Sequence, residues 1–227
     1  MDYLYLLLNL GSLSVPFIFS FHPKLKFYKY WKSLFLGIII SMLIFIPWDV
    51  FFTKYGIWGF NDTYFLGIKL FHLPLEEWLF FICIPYACVF THYALLYYFP
   101  KMKLPESSTK KISYIFICLL IITSLLNYDK WYTLINFLLG AILTVYVLVK
   151  KVNILQQYYL TFLVMLIPFF LVNGILTGGF IESEVVWYNN NENLGIRLFT
   201  IPIEDTIYAF TLILLSLSVI EFNKKTN

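Results

Sequence analysis

Charge is scarce in this sequence. Asp, Glu, Lys and Arg make up 13% of its 227 residues and hydrophobic residues 60%, against about 25% and 45–50% in soluble globular chains. With a mean hydropathy of +0.78, the chain cannot assemble a water-soluble surface. The net charge of +3 is small and its basic residues are scattered among loops, which sets nucleic acid aside as a partner. Cysteine is equally sparse. Cys83, Cys88 and Cys118 sit inside apolar runs, are odd in number and lack the spacing of zinc ligands or a disulfide framework, so they read as packing residues. No GxGxxG follows a strand, no aspartate-rich pair offers a magnesium diphosphate site, and the last apolar helix has no internal Lys for a retinal Schiff base. Histidine support for a carboxylate metal cluster is missing, so no metal is expected. The run starting at Tyr3 has no basic segment before it and no small-residue cleavage site after it, so the first segment is expected to be retained.

What is present is apolar length. A bilayer core of about 30 Å takes roughly 20 apolar residues as a helix. Seven stretches come near this, at 3–20, 33–50, 76–98, 112–127, 132–149, 159–176 and 203–222. The fourth and fifth are separated only by Asn127, Tyr128, Asp129 and Lys130, as in a tight helical hairpin. The expected fold is therefore an all-α polytopic membrane protein. Lys24, Lys26, Lys29 and Lys32 follow the first stretch, and Lys101, Lys103, Lys110 and Lys111 the third. Lys150 and Lys151 follow the fifth, and Lys224 and Lys225 the seventh. Basic short loops stay cytoplasmic, which predicts an outer N-terminus and a cytoplasmic C-terminus.

The chain also repeats itself. Leu66 to Phe80, LGIKLFHLPLEEWLF, aligns without a gap with Leu194 to Tyr208, LGIRLFTIPIEDTIY, at an offset of 128, with seven of 15 pairs identical and six more conservative. The offset pairs the first three helices with the last three. This predicts two parallel three-helix repeats over 1–98 and 132–227, with a connecting helix in 99–131 and both acidic motifs at the outer end.

In each repeat, acids follow a proline at a helix start: Pro74 before Glu76 and Glu77, and Pro202 before Glu204 and Asp205. One reading is ordinary capping, since proline suits a first turn and carboxylates gain from the helix dipole there. The duplication favours the other reading, because intramembrane carboxyl groups are costly and default to function. Four acids facing one another cannot all ionise, which leaves a neutral acid beside an ionised base. Such a pair can add a proton and then remove one.

Neighbouring residues extend this pattern. Glu76 with Phe80, Glu77 with Phe81 and Glu204 with Tyr208 are i, i+4 pairs, which puts an aromatic ring one turn below each acid to stabilise a passing cation. An interfacial aromatic belt is the alternative for these rings. Asp49, and Asn173 with Thr177, lie at outer helix ends, either orienting the acids or acting as interhelical polar glue. Lys69 and Arg197, seven residues before Glu76 and Glu204, either pair with an acid or anchor the loop at the headgroups. His72, matched by Thr200, reads as incidental.

Together these residues resemble the small membrane lycopene cyclases of the heterodimeric or tandem-fused type. The likeness rests on Pro74, Glu76, Glu77, Phe80 and Phe81, on Asn173, Leu176 and Thr177, on Pro202, Glu204 and Asp205, and on Trp48 and Asp49 followed by Gly56, Trp58 and Phe60. It covers essentially the whole chain. The resemblance implies a linear carotenoid, lycopene, as substrate within the bilayer, with conversion of its linear ends, one or both, to β-type rings by protonation, cation cyclisation and deprotonation. Glu76, Glu77, Glu204 and Asp205 are the expected catalytic groups, in an order the sequence leaves open. Asp49, Trp58, Phe80, Phe81, Asn173, Thr177 and Tyr208 are the expected substrate contacts. No cofactor is implied, flavin included. A bacterial cytoplasmic membrane and contact with other carotenoid-pathway enzymes are expectations of the same origin. Trp78, matched by Thr206, departs from symmetry and bears on which ring forms. The rival class is a small transporter or lipid-binding channel whose paired carboxylates bind protons or cations.

Overall fold

A computed structural model describes residues 3–224, which leaves Lys225 outside the described residues. It is built almost entirely of helices: α1 (Leu4–Phe19), α2 (Trp31–Lys54), α3 (Leu75–Tyr98), α4 (Glu106–Leu126), α5 (Trp131–Leu176) and α6 (Ile203–Asn223). Five are long and apolar enough to cross a membrane, and α1 is a shorter apolar helix. Their outward faces carry bare hydrocarbon, as at Leu43, Leu126 and Val149. This all-α, polytopic membrane architecture agrees with the reading from sequence.

The 46-residue α5 is two spans. Drawn straight at 1.5 Å per residue it would run about 69 Å, more than twice the bilayer core of about 30 Å. Yet Tyr132, near its start, and Asn173, near its end, hydrogen-bond the same carboxyl group, that of Asp205. The helix must therefore double back, and it does so at Lys151, whose φ of −156° and ψ of 72° are non-helical. The Lys151 ammonium donates to the Glu221 carbonyl at the end of α6 (2.5 Å), which fixes the reversal to its neighbour. No loop separates the two arms, so the expected connection over 150–158 is absent and the second arm starts earlier than predicted.

Between helices lie three two-stranded ladders. β2 (Lys69–Leu70) pairs with β3 (Leu73–Pro74), and β5 (Arg197–Leu198) with β6 (Ile201–Pro202). These are the same hairpin in the two repeats, each ending in the proline that precedes an acid pair and each preceded by a left-handed glycine, Gly67 (φ 79°) or Gly195 (φ 69°). The hairpin tips hold phenylalanine in left-handed backbone, Phe71 (φ 52°) and Phe199 (φ 60°). The third ladder joins the halves: β1 (Trp58–Phe60) runs antiparallel to β4 (Val186–Tyr188), with Trp58 opposite Tyr188. Gly59 is required there, because a Cβ would meet the Trp187 ring at 2.3 Å.

Within the bundle, α1 packs on α3 and the first arm of α5 on α6, while α2 and α6 cross between the repeats. That crossing is close: a Cβ on Gly37 would meet the Ser216 carbonyl at 2.7 Å, and Ser41 and Ser216 share a hydrogen bond (2.9 Å). Without a hydrophobic drive between helices in lipid, small residues and hydrogen bonds of this kind hold them together. Below the crossing, Leu34, Val89, Leu155, Tyr158 and Leu217 fill the core.

Candidate active site

Successive residues on a helix are turned by about 100°, so adjacent acids in one turn cannot share an environment. The structure separates them in the same way in both repeats. Glu76 turns back onto its own hairpin, where Oε1 accepts the Leu66 amide (2.8 Å), and Glu204 does the same with Leu194 (2.7 Å). The backbones of these two residues are held by the same residue type from the first helix of each repeat. Asn9 donates to the Glu76 carbonyl (2.8 Å) and Asn136 to that of Glu204 (2.7 Å). Thr133 also donates to Glu204 (2.7 Å).

Glu77 and Asp205 face the other way, into a cavity of about 460 Å³. Tyr5 donates its phenol to Glu77 Oε2, and Tyr132 donates to Asp205 Oδ1 (2.6 Å). Helix 2 and the second arm of α5 add one polar residue each. Asp49 lines the same space as Glu77: its Oδ1 accepts from Trp58 Nε1 (2.7 Å), and its Oδ2 is buried without a hydrogen-bond partner among the described residues. Asn173 donates to Asp205 Oδ2 (2.8 Å), as does Tyr188 (2.9 Å). Tyr188 stands outside the helices. Removal from water and then the Asp205 carboxylate push its phenol well above the usual tyrosine range, which keeps it a donor.

Aromatic rings wall the space. Trp58 and Tyr132 meet edge to face at 4.9 Å, Tyr132 stacks on Tyr188 at 5.8 Å, and Tyr208 lies 5.2 Å from Trp48. Among the described residues no Lys, Arg or His lines the cavity.

Of the residues singled out from sequence, Asp49, Trp58, Glu77, Phe80, Asn173, Asp205 and Tyr208 meet at this cavity, whereas Glu76, Glu204, Phe81 and Thr177 do not. The expectation that all four acids face one another is thus corrected: one of each pair does, and the other secures the loop. The expected acid–aromatic spacing shifts with it. The cavity pairs are Glu77 with Phe80 and Asp205 with Tyr208, both i, i+3, while Phe81 is buried against Phe45 and Leu212. Thr177 bonds the Asn173 carbonyl (2.8 Å) and Thr200 (2.7 Å), so it caps its own helix, one full turn beyond Asn173. Lys69 pairs with Asp62 (2.9 Å), and Arg197 bonds the Thr200 carbonyl and Asn190. Both hold loops rather than the acids.

Sequence reasoning missed Tyr5, Tyr132 and Tyr188. A signal existed for the first two, since Tyr5 and Asn9 recur as Tyr132 and Asn136. Their offset is 127, one less than that of the acidic motif, so an ungapped comparison loses them.

A family model described as lycopene cyclase matches the chain twice, over residues 2–96 and 129–223, again displaced by 127. No curated protein and no solved structure matches it.

Proposed function

The chain belongs to the lycopene cyclase family, a carotenoid cyclase of the membrane, and from that premise we propose that it closes the linear ends of lycopene to β-type rings at the Glu77–Asp205 cavity. One observation carries this reading. Carboxyl groups from equivalent helix starts of two repeats converge on one aromatic-walled space, with donors arranged differently around each.

Two buried carboxyl groups lining one space repel each other when both are ionised, so one of them holds a proton, as in carboxylate dyads, and Asp49 with Glu77 are such a pair. Asp205 is surrounded by three donors, from Tyr132, Tyr188 and Asn173, the company of a group that accepts only. We therefore take the Asp49–Glu77 pair as the acid and Asp205 as the base. A proton passes from the pair to the terminal double bond and leaves a tertiary cation. The neighbouring alkene supplies the electron pair for the new carbon–carbon bond and closes the six-membered ring. The cation now in the ring loses a proton to Asp205, and the remaining electrons form the ring alkene. One proton enters and one leaves, so the reaction is an isomerisation with no oxidant or reductant. The Trp58, Tyr132, Tyr188 and Tyr208 rings offer π faces to the cation without trapping it as a nucleophile would. The proton returns to the Asp49–Glu77 pair before the next turnover.

The reading includes an arrangement in the bilayer. The units 1–98 and 132–227 act as half-sites joined through 99–131, with the N-terminus outside. The alternating basic segments, among them Lys150, Lys151 and Lys224, support this by the positive-inside rule.

The test is pigment analysis of lycopene-accumulating bacterial cells expressing the wild type, Glu77→Gln or Asp205→Asn. The expected outcome is monocyclic or bicyclic carotenoid from the wild type and unchanged lycopene from both variants. A well-expressed wild type that leaves lycopene untouched overturns the proposal.

A further inference from the structure

The cavity does not end at the carboxyl groups. Along α3 its wall runs from Glu77 through Phe80, Ile84 and Cys88 to Thr91. The 14 residue steps from Glu77 to Thr91 span about 21 Å at 1.5 Å each, some two thirds of a core about 30 Å thick. Its deeper part presents hydrocarbon, because the hydroxyls there are spent on their own helices: Thr91 donates to the Ala87 carbonyl (2.8 Å) and Ser12 to that of Leu8 (2.7 Å). The chamber is therefore polar at one end only.

One side of it is open. Where α1 faces the second arm of α5, the lining residues Leu7, Gly11 and Pro168 are also exposed on the outside of the bundle, Leu7 by 62%. Gly11 has no packing reason to be glycine. It sits inside a helix at ordinary backbone angles, where glycine costs about 0.5–1 kcal/mol relative to alanine. A Cβ on it would meet nothing within 4 Å, in contrast to Gly37.

We propose that the gap between α1 and the second arm of α5 is a lateral portal, with Gly11 as its threshold, through which a long apolar chain enters from the bilayer. The inference rests on the carotenoid reading above and extends it from the reacting end to the rest of the molecule. A cavity of about 460 Å³ is in the range of pockets for drug-sized ligands, about 300–1,000 Å³. It encloses one end of a carotenoid while the remainder passes out through the gap and stays in lipid.

The test compares Gly11→Phe with Leu10→Phe, which puts the same ring at an exposed α1 position turned about 100° from Gly11 and outside the cavity lining. Each full-length protein is expressed in lycopene-accumulating cells and purified in detergent. Two quantities are read: the fraction of carotenoid cyclised in the cells, and the pigment retained per protein after monodisperse elution. A phenyl ring in the path of the chain is expected to lower both about tenfold or more, with Leu10→Phe close to wild type. Gly11→Phe that retains and cyclises pigment like the wild type overturns the portal. If the wild type retains pigment in a Gly11-dependent way but cyclises none, the portal stands and the cyclase reading falls. If it neither retains nor cyclises pigment, both fall.

Discussion

Glu77 and Asp205 leave their helices at the same point of each repeat, and each receives a phenol from the equivalent tyrosine, Tyr5 or Tyr132. Beyond that their company differs. Glu77 has a second carboxyl group beside it, Asp49, which is itself bonded by Trp58. Asp205 has the neutral donors Asn173 and Tyr188. The cross-strand partners Trp58 and Tyr188 thus serve different acids. Duplication supplies two carboxyl groups in one space, and in the mechanism proposed above divergence at a few flanking positions divides an acid from a base. Two symmetric half-sites would have no means of assigning the roles.

The comparison breaks first at the acids themselves. Glu77→Gln and Asp205→Asn should each lower cyclisation by about 10²–10⁴-fold, the range for a general acid or base, measured as carotenoid product per unit of protein. A variant retaining a tenth of wild-type conversion would remove that carboxyl group from the chemistry. Asp49→Asn sharpens the comparison, since it gives Glu77 the kind of partner that Asp205 has in Asn173. With the shared proton lost, conversion should fall about a hundredfold with the protein still folded.

Smaller effects follow at the phenols, where a hydrogen bond to a charged group contributes about 1.5–3 kcal/mol. Tyr5→Phe should cost about tenfold or more, and Tyr188→Phe less, because Asp205 keeps Tyr132 and Asn173. Equal losses would argue against unequal roles. The smallest catalytic effect belongs to the loop-securing acids. Glu76→Gln and Glu204→Gln keep an oxygen for the loop amide and should leave conversion within about threefold. Glu204→Ala strands the part-buried Leu194 amide at a cost of up to about 1–3 kcal/mol, read as a lower thermal midpoint in detergent. A large catalytic loss with unchanged stability would return Glu204 to the reacting centre.

Much of this was legible in the sequence. The apolar runs gave the spans, the repeat gave two related halves, and Pro74 and Pro202 marked where α3 and α6 begin. Which acid of each pair turns inward was not legible, because both readings fit a first helical turn. The phase is set by Asn9 and Asn136 gripping the backbone and by the hairpin amides of Leu66 and Leu194, all distant in sequence or outside the helix. Tyr5 and Tyr132 lay behind a one-residue shift in offset. Tyr188 sits in a segment without periodicity and reaches Asp205 only because β4 pairs with β1. The break between the fifth and sixth spans was legible from their lengths and from Lys150 and Lys151, but a reversal at Lys151 without a loop was not, because it is held by packing and by the bond from Lys151 to the Glu221 carbonyl.

The ladder of β1 with β4 also bears on how the protein is made. Its partners, Trp58 and Tyr188 for example, lie on opposite sides of four apolar helical segments, so the ladder closes only after those have been synthesised and inserted. Contacts between distant parts of a chain carry the largest loop-closure entropy and form late. Each half can settle in the bilayer before it meets the other, and the shared cavity comes into being at that meeting, once Asp49 and Tyr188 are both brought to its wall. A chain halted before Tyr188 would hold Glu77 and Asp49 with no counterpart, so the proposed proton chemistry would wait until synthesis is nearly complete.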